Sequence, residues 1–321
     1  MSLQSKLIAI ASLSIIIICF LGIKIVEDSY DNYKRAVSIE EMIDLSDDIS
    51  HLVHEMQKER GLSSAFTISG ADVFRERLIK QRVETTKTFK EFEHVFYKNI
   101  DLYDNEIKER IKKVLTRYND NIELKRMLVI NEAIDVFEVI DFFTDIHNDF
   151  INSLLYLSKI SNNPKITNDL IAFNNILLLQ DRLGLERAIG SVILVWNFSD
   201  ESIFRFKEVV ASIKIHKENF YFYLTPENKK YFNDQVKNSN LDYVDGLIEK
   251  FIYWNGRDNI DIRPMYWFDS TTKKINFYQE QNLYFIKQLK QDVQSYKKES
   301  KYELILLSII MISSILIFTI F

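Results

Sequence analysis

Apolar residues recur every three or four positions through most of the chain, which is the spacing of one face of an α-helix. One such stripe runs from Leu45 through Ile49, Leu52, Val53 and Met56. A second, longer stripe comprises Ile134, Phe137, Val139, Ile140, Phe143, Ile146, Phe150, Leu154 and Leu155. The pattern predicts long amphipathic helices with one buried face.

Turn-forming residues are sparse, with 7 glycines and 3 prolines among 321 residues. Polar punctuation separates the stripes only around residues 69–72, 99–101, 162–164, 198–200, 224–226 and 255–264. Asp200 is a predicted N-cap, and so is Thr225, because Pro226 follows it at the first helical position. Long helices joined by short turns pack as antiparallel neighbours. We therefore predict an all-α fold built from helical bundles.

Uncharged runs rich in Ile and Leu occupy both ends of the chain, at residues 7–23 and 304–321. Each approaches the roughly 20 apolar residues that span a bilayer as a helix. The first run lacks a small-x-small cleavage site, which favours an uncleaved anchor. Lys6 and the amino terminus favour the cytoplasm for that end. The sequence thus predicts a two-pass protein of the inner membrane, with its central segment in the periplasm.

This organisation gives a first transmembrane helix at residues 1–27, a central helical domain at 28–301 and a second transmembrane helix at 302–321. No Pro-rich linker divides the central domain, which we interpret as two similar halves, about 28–162 and 163–301. Since the sequence stops within the second apolar run, we expect a cytoplasmic signalling module either in a longer chain or in trans.

The chemistry of the central domain is limited by what the composition offers. The net charge is −5 at pH 7, whereas nucleic-acid binding depends on clustered Lys and Arg. Cys19 is the single cysteine, so no disulfide forms within the chain. His51 and His54 are three positions apart but lack a third metal ligand, and no haem, phosphate-loop or hydrolase motif is present. We therefore expect no nucleic-acid partner, metal, cofactor or enzymatic activity.

Two segments repeat one phrase. Residues 56–65 read Met-Gln-Lys-Glu-Arg-Gly-Leu-Ser-Ser-Ala, and residues 183–192 read Leu-Gly-Leu-Glu-Arg-Ala-Ile-Gly-Ser-Val. In each, Glu-Arg is followed by small residues that include a serine. Helical spacing places both arginines, Arg60 and Arg187, on the apolar faces of their helices.

The side chains that share those faces are small or polar: Gln57, Ser63 and Ser64 near Arg60, and Ser191 near Arg187. A buried guanidinium must be paired and hydrogen-bonded, and its planar fork matches a planar oxyanion such as nitrate, nitrite or a carboxylate. We predict that the two arginines converge on one anion and that neither has a protein carboxylate as its partner. The alternative is a duplicated structural ion pair.

Three fragments resemble the nitrate- and nitrite-sensing (NIT) domain family. Residues 52–65 are similar to its first signature, and residues 185–190, trailed by 197–199 and 204–206, are similar to its second. A third similar fragment is Trp-Phe-Asp-Ser-Thr-Thr at 267–272, followed by Ile-Asn at 275–276. Together they cover about residues 45–289. Asn197 departs from the family pattern, which has a small residue there.

The resemblance implies an extracytoplasmic sensor of two antiparallel four-helix bundles, as found in bacterial chemoreceptors and histidine kinases. It implies nitrate or nitrite as the ligand, and Arg60 and Arg187 as binding residues; Arg182 is a weaker candidate because it lies off the face of Arg187. Such a receptor is expected to be a homodimer. Two alternatives stay open: a sensor for another small anion such as a carboxylate, and a ligand-free, membrane-tethered helical interaction module.

Overall fold

The computed structural model describes residues 3–70, 72–159, 161–196, 199–254 and 260–320. Within those ranges the chain is helical, with short connections and no β-strand. The predicted all-α fold is therefore confirmed for the described residues. Asn197, at which the sequence departs from the NIT pattern, lies outside them.

Nine α-helices are present in the described ranges, and two of them are far longer than the rest. The helices are α1 (Leu3–Ser69), α2 (Asp72–Lys98), α3 (Asn105–Ile130), α4 (Val136–Leu154), α5 (Pro164–Trp196), α6 (Asp200–Tyr223), α7 (Pro226–Asn238), α8 (Asp242–Tyr253) and α9 (Pro264–Ile320). Single 3-10 turns follow α2 (Ile100–Leu102) and α4 (Leu155–Lys159).

Helix starts are set by side chains that accept hydrogen bonds from free backbone N–H groups. Asp135 caps α4 in this way, through the N–H of Phe137 at 2.8 Å. Thr225 caps α7 with Pro226 following it, as predicted. The predicted cap at Asp200 is one residue too late, because Ser199 accepts from the backbone N–H of Ser202 and Asp200 becomes the first helical residue.

Helices α1 and α5 lie at the centre of the molecule. α1 packs against α2, α4, α5 and α9, and α5 packs against α4, α6 and α9 as well. The predicted stripe on α1 faces this core, since Ile49, Leu52 and Met56 are fully buried. The duplicated phrases therefore meet where α1 crosses α5.

One helix of the described chain is long and apolar enough to cross a membrane, the carboxyl-terminal part of α9. Its apolar side chains are largely exposed to solvent, unlike those of a core helix. The first apolar run is helical and lies beside it, with the Cα side of Gly22 facing Met311. Many side chains of that first run are outside the described set, so the first predicted transmembrane helix stays a prediction.

Candidate functional site

The two phrases cross face to face, and each arginine lies over a glycine of the other phrase. A Cβ atom at Gly61 would be 2.3 Å from Nη2 of Arg187, and one at Gly184 would be 2.8 Å from Nη2 of Arg60. Both glycines therefore permit a guanidinium to pass where a side chain would obstruct it. The small residues beside the arginines are explained by this close approach of α1 and α5.

Arg60 is fully buried and already has a protein anion as its partner. Its Nη1 lies 3.0 Å from Oδ1 of Asp181 on α5 and donates to Oγ1 of Thr144 at 3.0 Å, while Nη2 donates to the backbone oxygen of Asp181 at 2.9 Å. The expectation that both arginines lack a carboxylate is therefore wrong for Arg60.

Asp181 is the centre of a buried cluster of charges. His147 Nδ1 lies 2.8 Å from Oδ1, and Arg182 Nη1 donates to Oδ2 at 3.0 Å. Burial alone would raise the pKa of Asp181, but Arg60, His147 and Arg182 outweigh that effect and hold its pKa below the usual range. Burial lowers the pKa of His147, which favours its neutral form despite Asp181. This cluster binds α1, α4 and α5 together.

Arg187 is also buried, but it has no carboxylate partner among the described residues. Its Nη1 donates to Oγ1 of Thr272 at 2.9 Å, and Nη2 donates to the backbone oxygen of Gln57 at 3.4 Å. The guanidinium lies 4.6 Å from the centre of the Phe268 ring, and Nε has no hydrogen-bond partner in the described part of the protein. Burial, reinforced by the charge of Arg60, lowers the pKa of Arg187 to about 9.

A cavity of about 590 Å³ opens beside Arg187, between α1, α2, α5 and α9. Its lining carries several more basic groups, together with one acidic and several neutral residues: Lys58, Arg77, Lys80, Glu84, His54, Gln57, Leu62, Gln81, Phe268, Thr272, Ile275 and Asn276. Burial, assisted by Lys58, lowers the pKa of His54 to about 4, so its ring is neutral at pH 7. The cavity is therefore cationic, and Arg187 is its buried charge.

The serines of the two phrases behave alike, but they do not point to a ligand. Ser64 donates to the backbone oxygen of Arg60, and Ser191 donates to that of Arg187, each at 2.8 Å. A hydroxyl has a single proton to donate, so these two donors are engaged within their helices. Ser63 is buried on the same helix as Ser64.

Gln57 lies between the two arginines. Its Nε2 lies 3.4 Å from Oδ1 of Asp181, and its backbone oxygen accepts from Arg187. Its Oε1 has no hydrogen-bond partner in the described ranges. Gln57 is thus the residue through which the Arg60 cluster and the cavity of Arg187 touch.

The glutamates that precede the two arginines also differ in whether the protein supplies a partner of opposite charge. Glu59 is held by Arg126 in a two-pronged pair, Nε to Oε1 and Nη2 to Oε2, each 2.8 Å. Glu186 is equally buried, yet its Oε2 has no hydrogen-bond partner within the described chain. The cation that acts on Glu186 is Lys274, which instead pairs with Asp245 at 2.7 Å. Burial raises the pKa of Glu186 to about 7, with Lys274 opposing the change.

The residues that complete the site were not singled out from the sequence. Asp181 and His147 are ordinary polar residues on helical segments, and nothing in their spacing indicates that they meet Arg60. Thr272 and Phe268 belong to the third fragment that resembles the NIT family, at residues 267–272. That fragment was the available signal for the Arg187 side of the site.

Gly190→Ala is expected to destabilise the protein by about 1–3 kcal/mol. A Cβ atom there would lie 2.4 Å from the ring of Trp267, which is fixed because its Nε1 donates to the backbone oxygen of Arg187 at 3.0 Å. Gly61→Ala is the comparison, since its Cβ meets the flexible end of Arg187. Thermal denaturation followed by circular dichroism measures both; equal losses would show that Trp267 yields as easily as Arg187.

Comparison with known proteins gives a family match and a fold match. The family model described as "Nitrate and nitrite sensing" (NIT) matches residues 51–290. Among curated proteins, no sequence matches this chain significantly. The solved structure titled "Structure of the NasR transcription antiterminator" is similar with a TM-score of 0.72 at 16% sequence identity, covering 91% of this chain and 83% of that chain. At that identity the similarity indicates a shared fold.

Because the family model spans most of the sequence, including both arginine phrases and the helix that carries Thr272, the chain belongs to the NIT family of nitrate- and nitrite-sensing signalling domains.

Proposed function

We propose that this chain is the extracytoplasmic sensor of a bacterial signal-transduction receptor, of the chemoreceptor or histidine-kinase type, that binds nitrate or nitrite beside Arg187. The observation that carries the proposal is a buried guanidinium without a carboxylate partner among the described residues, at the edge of a cationic cavity. A buried charge of this kind is costly until an anion joins it.

The donors of Arg187 suit a planar oxyanion. Its Nε–H is not used by any described residue, and the neighbouring Nη2 makes only a long bond of 3.4 Å. These two N–H groups form the side of the guanidinium fork that bonds two oxygens of nitrate, nitrite or a carboxylate at once. In this proposal the amide of Gln57 completes the contact, and Lys58, Arg77 and Lys80 attract the anion to the cavity.

Arg60 has a different part in the proposal. Because Asp181 already neutralises it, Arg60 fixes the crossing of α1 and α5 and lowers the pKa of Arg187 from a distance. Ser64 and Ser191 donate within their own helices, and Ser63 is buried beside them as a small residue. Because Arg60 is paired with Asp181 and Arg187 has no such partner among the described residues, the proposed anion binds at Arg187 alone and is not shared by the two arginines.

The signalling step follows from the helices that the site joins. Arg187 lies on α5, Gln57 on α1 and Thr272 on α9, and α9 continues into the apolar segment that is able to cross a membrane. An anion that favours one packing of these helices shifts their equilibrium only by its difference in affinity, typically about 1–3 kcal/mol. We propose two four-helix bundles that move against each other, in a homodimer with two membrane-spanning helices.

A thermal-shift panel on the full chain in detergent tests this function. Nitrate and nitrite are expected to raise the melting temperature, since a ligand at about 100 times its Kd adds about 2.7 kcal/mol, and Arg187→Gln is expected to abolish the shift. Arg182→Gln is the matched control, because Arg182 binds Asp181 and Asn148 instead.

The other outcomes separate the alternatives. A shift with acetate or formate but none with nitrate would assign the site to carboxylates. No shift with any anion would identify a ligand-free helical interaction module and would end the sensor proposal.

A further inference from the structure

A groove of about 730 Å³ runs along the outer side of the first half of the domain, between α2 and α3. Ile79 and Val83 of α2 and Met127 of α3 line its upper part. Leu124 shares the face of Met127, three positions earlier on the helix. We call these four residues the α2/α3 apolar patch.

The members of the α2/α3 apolar patch are aliphatic and open to water. Ile79 is 52% exposed, Val83 63%, Leu124 51% and Met127 52%. The solvent face of a surface helix normally carries polar residues, and adjoining apolar residues at the surface mark a contact site. Ile79, Val83 and Met127 line one groove, so they form a continuous surface rather than isolated residues.

Charged residues lie next to the patch, with basic residues on one helix and acidic residues on the other. Lys87 and Lys90 follow Val83 on the exposed face of α2, whereas Asp120 and Glu123 precede Met127 on the exposed face of α3. Glu123 also pairs with Arg126 of its own helix at 3.0 Å. The surface thus has a basic side on α2 and an acidic side on α3.

The charged residues of α2 and those of α3 lie at similar positions along the helix axes. Arg126 donates to Thr86 at 2.9 Å, and Asn119 donates to Glu93 at 3.1 Å, which fixes how antiparallel α2 and α3 are aligned. Residues 87–90 of α2 therefore lie at the height of residues 120–125 of α3, and residues 79–83 lie near the level of residues 127–130.

We propose that a second copy of this chain docks on this surface, so that α2 and α3 of both copies form a four-helix bundle. A two-fold axis parallel to the helices places α2 against the partner's α3 at equal height. Ile79 and Val83 then lie nearest to the partner's Met127, whereas the two lysines face the partner's Asp120 and Glu123 at the height of Leu124. Closed two-fold pairs with self-complementary patches are the commonest homo-oligomers.

The direction of that axis rests on the proposed function in one respect, that both copies are held in one membrane. The start of α1 and the end of α9 lie together at one end of the molecule. Only an axis parallel to the helices puts those ends of both copies on the same side. Pairing α2 directly with α2 in the antiparallel sense would send them to opposite sides.

The mass of the full chain in detergent, measured by sedimentation, is the first test. We expect a dimer whose Kd rises about tenfold or more when Val83→Asp and Met127→Asp place four carboxylates in the contact. Ile215→Asp is the matched control, because Ile215 is similarly exposed on α6 and should leave the dimer intact. A monomeric unmodified chain, or a double variant that dimerises normally, would overturn the proposal.

A charge exchange tests the pairing of the helices. Lys87→Glu with Lys90→Glu in one chain, and Asp120→Lys with Glu123→Lys in another, are each expected to give monomers, and their mixture is expected to give heterodimers. No heterodimer would refute the contact of α2 with the partner's α3.

Nitrate thermal shifts of the same variants keep this question apart from the sensing proposal. A dimer through this surface in a protein that ignores every anion would overturn anion sensing and leave the interface standing.

Discussion

Arg60→Met is expected to lower the free energy of unfolding by about 3–5 kcal/mol, whereas Arg187→Met is expected to leave it unchanged or raise it in buffer without nitrate. The first change leaves Asp181 buried without its main counter-charge. The second removes a buried charge that has no carboxylate partner in the described part of the chain. Chemical denaturation of both variants at pH 7 measures the difference.

Two controls sharpen that comparison. Asp181→Asn added to Arg60→Met should recover much of the loss, because it removes the stranded carboxylate. Adding nitrate should stabilise the unmodified protein and not Arg187→Met. If Arg187→Met proved as unstable as Arg60→Met without any anion, Arg187 would be a structural residue and the proposed site would lose its basis.

Glu186→Gln is expected to stabilise the protein by about 3 kcal/mol at pH 8.5 and hardly at all at pH 4.5. The folded-state pKa of Glu186 is about 7, above its ordinary 4.5. A carboxyl whose pKa is raised on folding does not destabilise the folded state at a pH where it is protonated in both states. The destabilisation grows as the pH rises from the unfolded-state pKa to the folded-state pKa and is complete above the latter. Glutamine removes the charge and keeps the shape. Melting temperatures of both proteins across this pH range measure the effect.

Glu59→Gln provides a control within the same molecule. Glu59 occupies the same place in the first phrase but is bonded through both oxygens to Arg126, so neutralising it should destabilise the protein at pH 8.5. Opposite signs for one substitution at two equivalent positions are expected. The same sign at both would show that Lys274 reaches Glu186 in solution, and that the duplicated glutamates have equivalent surroundings.

These contrasts describe a duplicated phrase whose two copies have diverged in their counter-ions. In the first copy the protein supplies both partners, Asp181 for Arg60 and Arg126 for Glu59. In the second copy Arg187 and Glu186 have no such partner among the described residues. A small anion at Arg187 would take the place that Asp181 has beside Arg60.

Some of this site was accessible from the sequence because it depends on local periodicity. The apolar stripe on α1 predicted which face is buried, and the repeated Glu-Arg phrase predicted that Arg60 and Arg187 point inward. The small residues of each phrase predicted room for a guanidinium, which Gly61 provides for Arg187 and Gly184 provides for Arg60. These features follow from helical spacing within one segment.

The remaining features depend on how distant segments meet. Asp181 is 121 residues from Arg60 and Thr272 is 85 residues from Arg187, and no helical pattern encodes either contact. The error at Asp200 has a local cause, because Ser199 and Asp200 are both good caps and only the backbone geometry selects Ser199. The sequence does not show which distant segment packs against Arg60, so it could not distinguish an ion-paired Arg60 from one without a carboxylate partner.

The uninterrupted course of α9 has a consequence for engineered fusions. Thr272, which holds Arg187, is separated from Leu304 by roughly 48 Å of helix at 1.5 Å per residue, without a break. Inserting one residue in that stretch would turn everything beyond it by about 100°. Chimeric receptors that borrow this domain should therefore keep the angular phase between Thr272 and the junction, or the output will be driven from the wrong face.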